Sequence, residues 1–392
     1  MAVTILSGVS GIDDNDILQN RRVVDMDPVI KMLEPDDAPL TVMLAQMPQR
    51  PAKSQKVEWL SDQLMPRLTT LNNSGDVGSG DTTFVVAAGT GAYFRPNDVL
   101  RMSNGENVKV VSVSTDTLTV VRSIGAVAAA TITDLTDVIK IGNAATEGAT
   151  LGTIQMTKQV ANYNYCQIQR DPLGFTNTLI NSDLYGGSEP QYEAKKKLME
   201  HRRQIENTLF FGQRELDVIS AATPQAYCGG LVDFISTNIT SVGGDLTESG
   251  FATFLRSAFR YGSRDKVLFA SPLIVSALSS FAQSKLAPND SGPGVKDYGV
   301  SLQTYRGANG TSVKIVEKRD WSDFSTTSNQ VGSWGVLVDM EDVMMRPLRK
   351  TVLLPDRQAP DEDSIKQEYL TEYSLQVGTE QNHAILRGVT GY

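Results

Sequence analysis

Residues 188–212 read SEPQYEAKKKLMEHRRQIENTLFFG, a long helix with punctuation at both ends. Ser188 followed by Gln191 is a capping-box start, and Pro190 falls in the first turn, where a missing N–H costs nothing. Gly212 suits the left-handed position just past the last turn. The helix predicted over about 190–211 would be about 30 Å long at ~1.5 Å per residue. Its apolar stripe is thin, made of Tyr192, Leu198, Met199, Ile205, Leu209 and Phe210. The opposite face carries Glu193, Lys195, Lys196, Lys197, Glu200, Arg202, Arg203 and Glu206. A helix of this kind packs on a sheet through one seam and turns its other face to solvent or a neighbour.

Downstream, over about 225–345, the texture is α/β. Thr247 caps a helix whose Phe251, Phe254, Leu255, Ala258 and Phe259 repeat at helical spacing, ending at Gly262. Lys266–Ala270 reads as a strand, and Ser271-Pro272 opens a helix over LIVSALSSFAQ. A loop, APNDSGPG, follows, then strands over Ser312–Glu317 and Trp334–Asp339. Beyond residue 364, EYLTEYSLQV and HAILRGVTGY alternate like strands returning to earlier parts of the chain.

Upstream lie short β-type runs: Thr82–Val86, Asp98–Met102, Asn107–Val113, Thr117–Arg122 and Asp137–Ile141. Asn104-Gly105 predicts a type I′ hairpin pairing Val99–Arg101 with Val108–Val110. Five short strands over about 81–143 suggest a small antiparallel barrel or sandwich. The flanks LNNSGDVGSGD and GNAATEGATLG read as hinges, so this module looks like an insertion. Residues 1–60 hold Pro28, Pro35, Pro39, Pro48 and Pro51 and should be mostly extended, with short turns such as 39–46. A segment of this sort stays ordered by lying on something else, and a neighbouring subunit is one candidate.

Composition narrows the function classes. The 392 residues, 40% hydrophobic and 21% charged, describe a folded protein of two to three domains. No run of 18 apolar residues exists to span a membrane, and the N-terminus lacks the pattern of a secretory signal. The Asn-X-Thr tripeptides at Asn238 and Asn309 therefore have no reason to carry sugar. Cys166 and Cys228 have no paired spacing and are expected to be free thiols in a reducing compartment. With 36 basic and 45 acidic residues the net charge is −9, the wrong sign for a dedicated nucleic-acid binder.

Searches for catalytic chemistry return little. The histidines are His201 and His383, both expected at a surface or interface. Two histidines and two unpaired cysteines suggest no metal site and no cofactor. The loop from Gly75 to Thr82 superficially echoes a phosphate loop, but Asp81 stands where the lysine belongs. No serine sits in a G-x-S-x-G elbow. Asp361-Glu362-Asp363 reads as a solvated turn after Pro360 rather than a cation site. Lys195 to Lys197 with Arg202 and Arg203 form the one basic cluster, open to solvent, to packaged nucleic acid or to an acidic neighbour.

The segments FRPNDVLRMSNGENVKVVSVSTDTLTVVRSIG, SEPQYEAKKKLMEHRRQIENTLFFG, RDKVLFASPLIVSALSSFA and EYSLQVGTEQNHAILRGVTGY occur here in one order. In that order the chain resembles the major capsid proteins of tailed bacteriophages with the Hong Kong 97 fold. It is most similar to the branch with a β-barrel inserted in the extended loop. The resemblance implies an α+β fold with five parts. These are an N-terminal arm (1–60), an extended loop (61–150) and a peripheral domain with a spine helix (151–224). An axial α/β domain (225–345) and a return to the peripheral domain (346–392) complete it. It implies self-association into hexamers and pentamers of an icosahedral shell around double-stranded DNA, contacted non-specifically, and no enzymatic activity. Partners implied are a separate scaffolding protein, a portal and a decoration protein, with assembly in the host cytoplasm and residence in the virion. An encapsulin-like nanocompartment shares this fold and remains an alternative, as does a tail or baseplate component.

Overall fold

The computed structural model describes residues 38–150, 152–182, 189–217, 224–283, 304–306, 310–324 and 330–392. The expected arm before residue 38, the Ser188 cap, the 287–294 loop and Asn309 lie outside the described residues. The chain divides into two compact units, residues 60–162 and residues 1–59 with 163–392.

The first unit is a six-stranded antiparallel sheet. Its strands are β2 (Leu68–Thr70), β3 (Thr83–Val85), β4 (Asp98–Arg101), β5 (Asn107–Ser114), β6 (Thr117–Val121) and β7 (Asp137–Asn143). They run in the order β2-β7-β4-β5-β6-β3. The two edges meet through a Leu71–Val86 bridge, with Asn72 N donating to Val85 O and Ala87 N to Thr70 O, both at 2.9 Å. The sheet thus closes on itself and leaves no open edge to template another chain. Alternation puts Leu100, Val108, Val110, Leu118, Val120 and Val138 inside, where Phe84 and Phe94 fill the interior.

Two sequence expectations change here. The hairpin at Asn104-Gly105 is not type I′: only Gly105 has a positive φ, at +87°. Gly105 N donates to Met102 O, and Asn104 Oδ1 accepts from Glu106 N at 2.9 Å. A longer loop with one left-handed glycine shifts the pairing to Leu100 opposite Val108 and Arg101 opposite Asn107. The expected hinge over 71–81 is instead packed, since Leu71 and Val77 are fully buried and Val77 bridges Ile132. Apolar side chains at those two positions outweigh the flexibility of Gly75 between them and of Gly78 and Gly80 beyond.

A two-stranded ladder joins β1 (Lys56–Ser61) and β8 (Val160–Tyr165). In the second unit, β9 (Gln167–Thr176) precedes the short α2 (Asn177–Ile180). The long helix is α3 (Glu189–Phe211), following the arm helix α1 (Pro39–Gln46) in chain order. A small hairpin, β10 (Glu215–Asp217) and β11 (Gln225–Tyr227), leads to α4 (Leu231–Phe234). Next come β12 (Ile239–Asp245), α5 (Glu248–Ala258), β13 (Asp265–Ala270) and α6 (Pro272–Gln283). The remaining strands are β14 (Thr304–Arg306), β15 (Ser312–Glu317), β16 (Gly335–Val338), β17 (Val343–Leu354), β18 (Ser364–Val377) and β19 (Ala384–Gly391). They form a mixed sheet, β12-β19-β16-β13-β15-β14, and an antiparallel one, β17-β18-β9.

Strand β13 shows why VLFA, residues 267–270, is an unbroken apolar run. Val267 and Phe269 face a core shared with Leu209 and Phe210 of α3, while Leu268 and Ala270 face α5 and α6. A strand buried on both faces has no polar side to display. Thr247 caps α5 as expected, accepting from Gly250 N at 3.1 Å. The strands of the C-terminal segment go to two different sheets. β17 and β18 form a sheet with β9, whereas β19 inserts between β12 and β16 of the mixed sheet. Its buried Ala384, Ile385, Leu386 and Val389 complete both cores of that sheet.

Gly212 is likewise needed for a different reason. Its φ is not positive; an added Cβ would stand 2.2 Å from Cys228 O. The 228–230 backbone crosses the end of α3 there, with Gly230 N donating to Gly212 O at 2.8 Å.

Candidate functional site

The titratable side chains singled out in the sequence lie in buried hydrogen-bond networks. His201 is fully buried on the sheet side of α3, not at a surface. Its Nδ1 lies 2.5 Å from Asp171 Oδ2 and its Nε2 2.7 Å from Thr371 Oγ1. Carboxylate, imidazole and hydroxyl thus stand in the order of a hydrolytic triad. Thr371, however, is only 1% exposed, and its hydroxyl donates onward to Thr351 Oγ1 at 2.9 Å. No substrate reaches that oxygen; the network pins the long helix to β9 and β18.

His383 is also buried, contrary to expectation. Its Nδ1 accepts from Asp339 N at 3.1 Å, and burial holds its pKa down at about 4. Around it, Lys266 donates to the carbonyls of Ala258, Tyr261 and Asn382 at 2.6 to 2.8 Å. Asp342 accepts from Thr379 N and Asn382 Nδ2. The cluster ties the two connections between sheets, 339–342 and 378–383, to one another. Among the described residues no three His, Cys, Asp or Glu side chains group as a metal site. Cys166 and Cys228 are free and buried, their thiols pushed up to about 11 and about 12 by desolvation.

The phosphate-loop echo resolves into a turn in which Gly78 N donates to Asp81 Oδ2 at 2.7 Å. In the carboxylate run, Glu362 pairs with Lys366. The basic cluster is partly neutralised within its own helix: Lys196 pairs with Glu193 at 3.4 Å and Lys197 with Glu200 at 2.8 Å. Glu206, assigned by pattern to the solvent face, is fully buried. Helical spacing carries the signal that was missed. His201 sits four residues before Ile205, and Glu206 four before Phe210, so each borders the apolar seam.

What the chain leaves uncovered is more informative than its polar clusters. In β1, Val57 and Trp59 point inward, the Trp59 ring tilted against Phe234 with centroids 5.7 Å apart, while Leu60 points out. Beyond the ladder the two arms of chain carry Leu64, 93% exposed, and Ile154 and Met156, the latter 81% exposed. Val160 adds to this set. A single exposed apolar side chain is ordinary; several along one extended stem mark a contact surface.

The described residues thus combine a long charged helix, a mixed sheet, an antiparallel sheet and a small closed sheet, with exposed apolar side chains flanking the β1–β8 ladder. The sequence profile of the SU10 major capsid protein family matches residues 11–390, and the chain belongs to that family. A major capsid protein of Pseudomonas phage PaMx41 is 33% identical over 112 residues, a segment spanning 28% of this chain and only 27% of that relative. Among solved structures, the cyanophage A-1(L) capsid subunit is similar with a TM-score of 0.57 at 10% identity, covering 95% of this chain and 98% of that one. The capsid of an empty GTA particle gives 0.50 at 9% identity, covering 97% and 99%. The fold is accordingly the Hong Kong 97-like α+β fold that the sequence resemblance implied.

Proposed function

We propose that this chain is the shell-forming major capsid protein of a tailed bacteriophage, closing many copies into an icosahedral head around double-stranded DNA. The family match across residues 11–390 carries the reading. The exposed apolar stem supports it, because Leu64, Ile154 and Met156 need a covering that a second copy would supply. Residues 1–60 act as an arm and 61–150 as an extended loop, whose closed sheet is an insertion. Residues 151–224 form the peripheral part and 225–345 the axial part, with β17 and β18 returning to β9 from the C-terminal segment and β19 completing the mixed sheet. Closed symmetry lets small interfaces accumulate over many copies.

The role is structural, with no catalysis. A net charge of −9 limits DNA contact to non-specific encounters. A separate scaffolding protein, a portal and a decoration protein are the partners that fit, with assembly in the host cytoplasm. Buried free thiols suit that reducing compartment. Negative-stain electron microscopy of the protein expressed alone, and with its scaffolding protein, tests the reading. Closed shells, tubes or hexamer sheets are expected; monodisperse monomers or trimers under both conditions would overturn it.

A further inference from the structure

The arm helix α1 lacks a cap of its own. The residue before it is Ala38, which offers no side-chain acceptor, and its first turn contains no acid. Its positive end is met instead from the long helix, across more than 160 positions. Glu206 Oε1 accepts from Leu40 N at 3.0 Å, and Oε2 accepts from Thr41 N and Thr41 Oγ1, both at 2.6 Å. These amides belong to the second and third residues of α1, among the donors that a helix leaves without an internal partner. A carboxylate there complements both the free N–H groups and the helix dipole.

Glu206 is completely buried, and so is Lys318 at the end of β15, whose Nζ lies 3.4 Å from Glu206 Oε1 and 3.3 Å from Asp320 Oδ1. Burial raises the Glu206 pKa, opposed by Lys318 and by the Thr41 and Leu40 donors. A buried carboxylate persists only when its lone pairs are satisfied, and this one draws three of its hydrogen bonds from the arm. The apolar contacts agree, since Leu40 and Leu44 of α1 sit fully buried in the core with Leu209 and Phe210. Past α1 the chain is fastened again, Ala52 N donating to Pro347 O of β17 at 3.0 Å.

We propose that Glu206 is the positioning residue of the N-terminal arm: a latch whose ligand is the first turn of α1, coupled through Lys318 to the mixed sheet. Releasing the arm would leave Glu206 without its three donors and expose Leu40 and Leu44. The latch therefore holds α1 in one orientation against the long helix. Its bearing on shell closure rests on the function proposed above; the latch itself does not.

Hydrogen exchange read by mass spectrometry on unassembled full-length subunits tests it. In Glu206→Ala, amides 40–46 should exchange about tenfold faster or more, with residues 60–162 and 364–377 unchanged. Glu206→Gln keeps one acceptor oxygen and should fall between wild type and Glu206→Ala. Unchanged exchange at 40–46, or equal loss of protection in all three regions, would overturn the latch. Should Glu206→Ala fail to fold, Thr41→Val removes one donor at nearly constant volume. A several-fold acceleration confined to 40–46 supports the proposal, and none there overturns it. Shell formation is scored separately: failure by wild type as well would count against the capsid reading and leave the exchange result standing.

Discussion

The closed sheet of residues 60–162 and the paired sheets of the other unit secure their buried polar groups over very different sequence distances. In the closed sheet, β4–β5 and β5–β6 pair as sequence neighbours while β2–β7, β4–β7 and β3–β6 do not, and buried Glu106 meets Arg122 16 positions away at 2.6 Å. In the other unit, β9 pairs with β18 so that Gln167 faces Tyr373 and Thr176 faces Ser364. Asn164 Nδ2 there reaches Leu375 O across 211 positions, at 2.7 Å. The pairing of β9 with β18 closes a longer loop than any pairing within the closed sheet, at greater loop-closure cost.

The sharpest way to break that comparison is Arg122→Ala. Burial raises the Glu106 pKa, but Arg122 and Ser123 N outweigh it and leave it lowered, so the carboxylate stays charged. Stranding that charge should cost about 3–5 kcal/mol. The loss should be confined to residues 60–162, as read by hydrogen exchange. Equal loss over 364–377 would show that the two units fold as one.

A smaller effect belongs to the second unit and depends on pH. His383 has a pKa near 4 when folded and about 6.5 unfolded. Below pH ~6.5 the unfolded chain therefore binds a proton that the folded chain refuses. Stability should fall as pH drops from about 6.5 to about 4, by up to roughly 3 kcal/mol, and level off below. Asp342, whose pKa is raised chiefly by burial, works in the opposite sense and offsets part of the loss. Urea midpoints at pH 7 and pH 4.5 should converge in His383→Gln relative to wild type; an unchanged pH difference would remove His383 from the account.

The smallest effect is local in both sequence and space. Thr247→Ala removes the cap of α5 and should cost about 1 kcal/mol, measured by denaturant unfolding. A cost of several kcal/mol would mean that Thr247 holds more than its own helix.

Legibility in the sequence followed the same division. The cap at Thr247, the strands near 107–113 and 117–122, and the span of α3 are written in residues within one or two turns or one hairpin of each other. Gly212 was correctly marked as a stop but for the wrong reason, because its constraint is the passing 228–230 backbone. The buried histidines escaped notice because each takes its partners from distant strands or turns: Asp171 and Thr371 for His201, Asp339 for His383.

By itself the sequence determined where helices and strands form, which faces are apolar, and the order of parts that marks a capsid subunit. Helical and strand periodicities are properties of neighbouring residues, and a chain displays them without folding. Tertiary structure alone decided that β19 joins the mixed sheet, that the two edges of the small sheet meet, and that Glu206 belongs to the arm. Those outcomes depend on which buried surfaces and unpaired donors meet once the chain is folded, as Leu71 meets Val86 and Glu206 meets Leu40, and no local pattern records that.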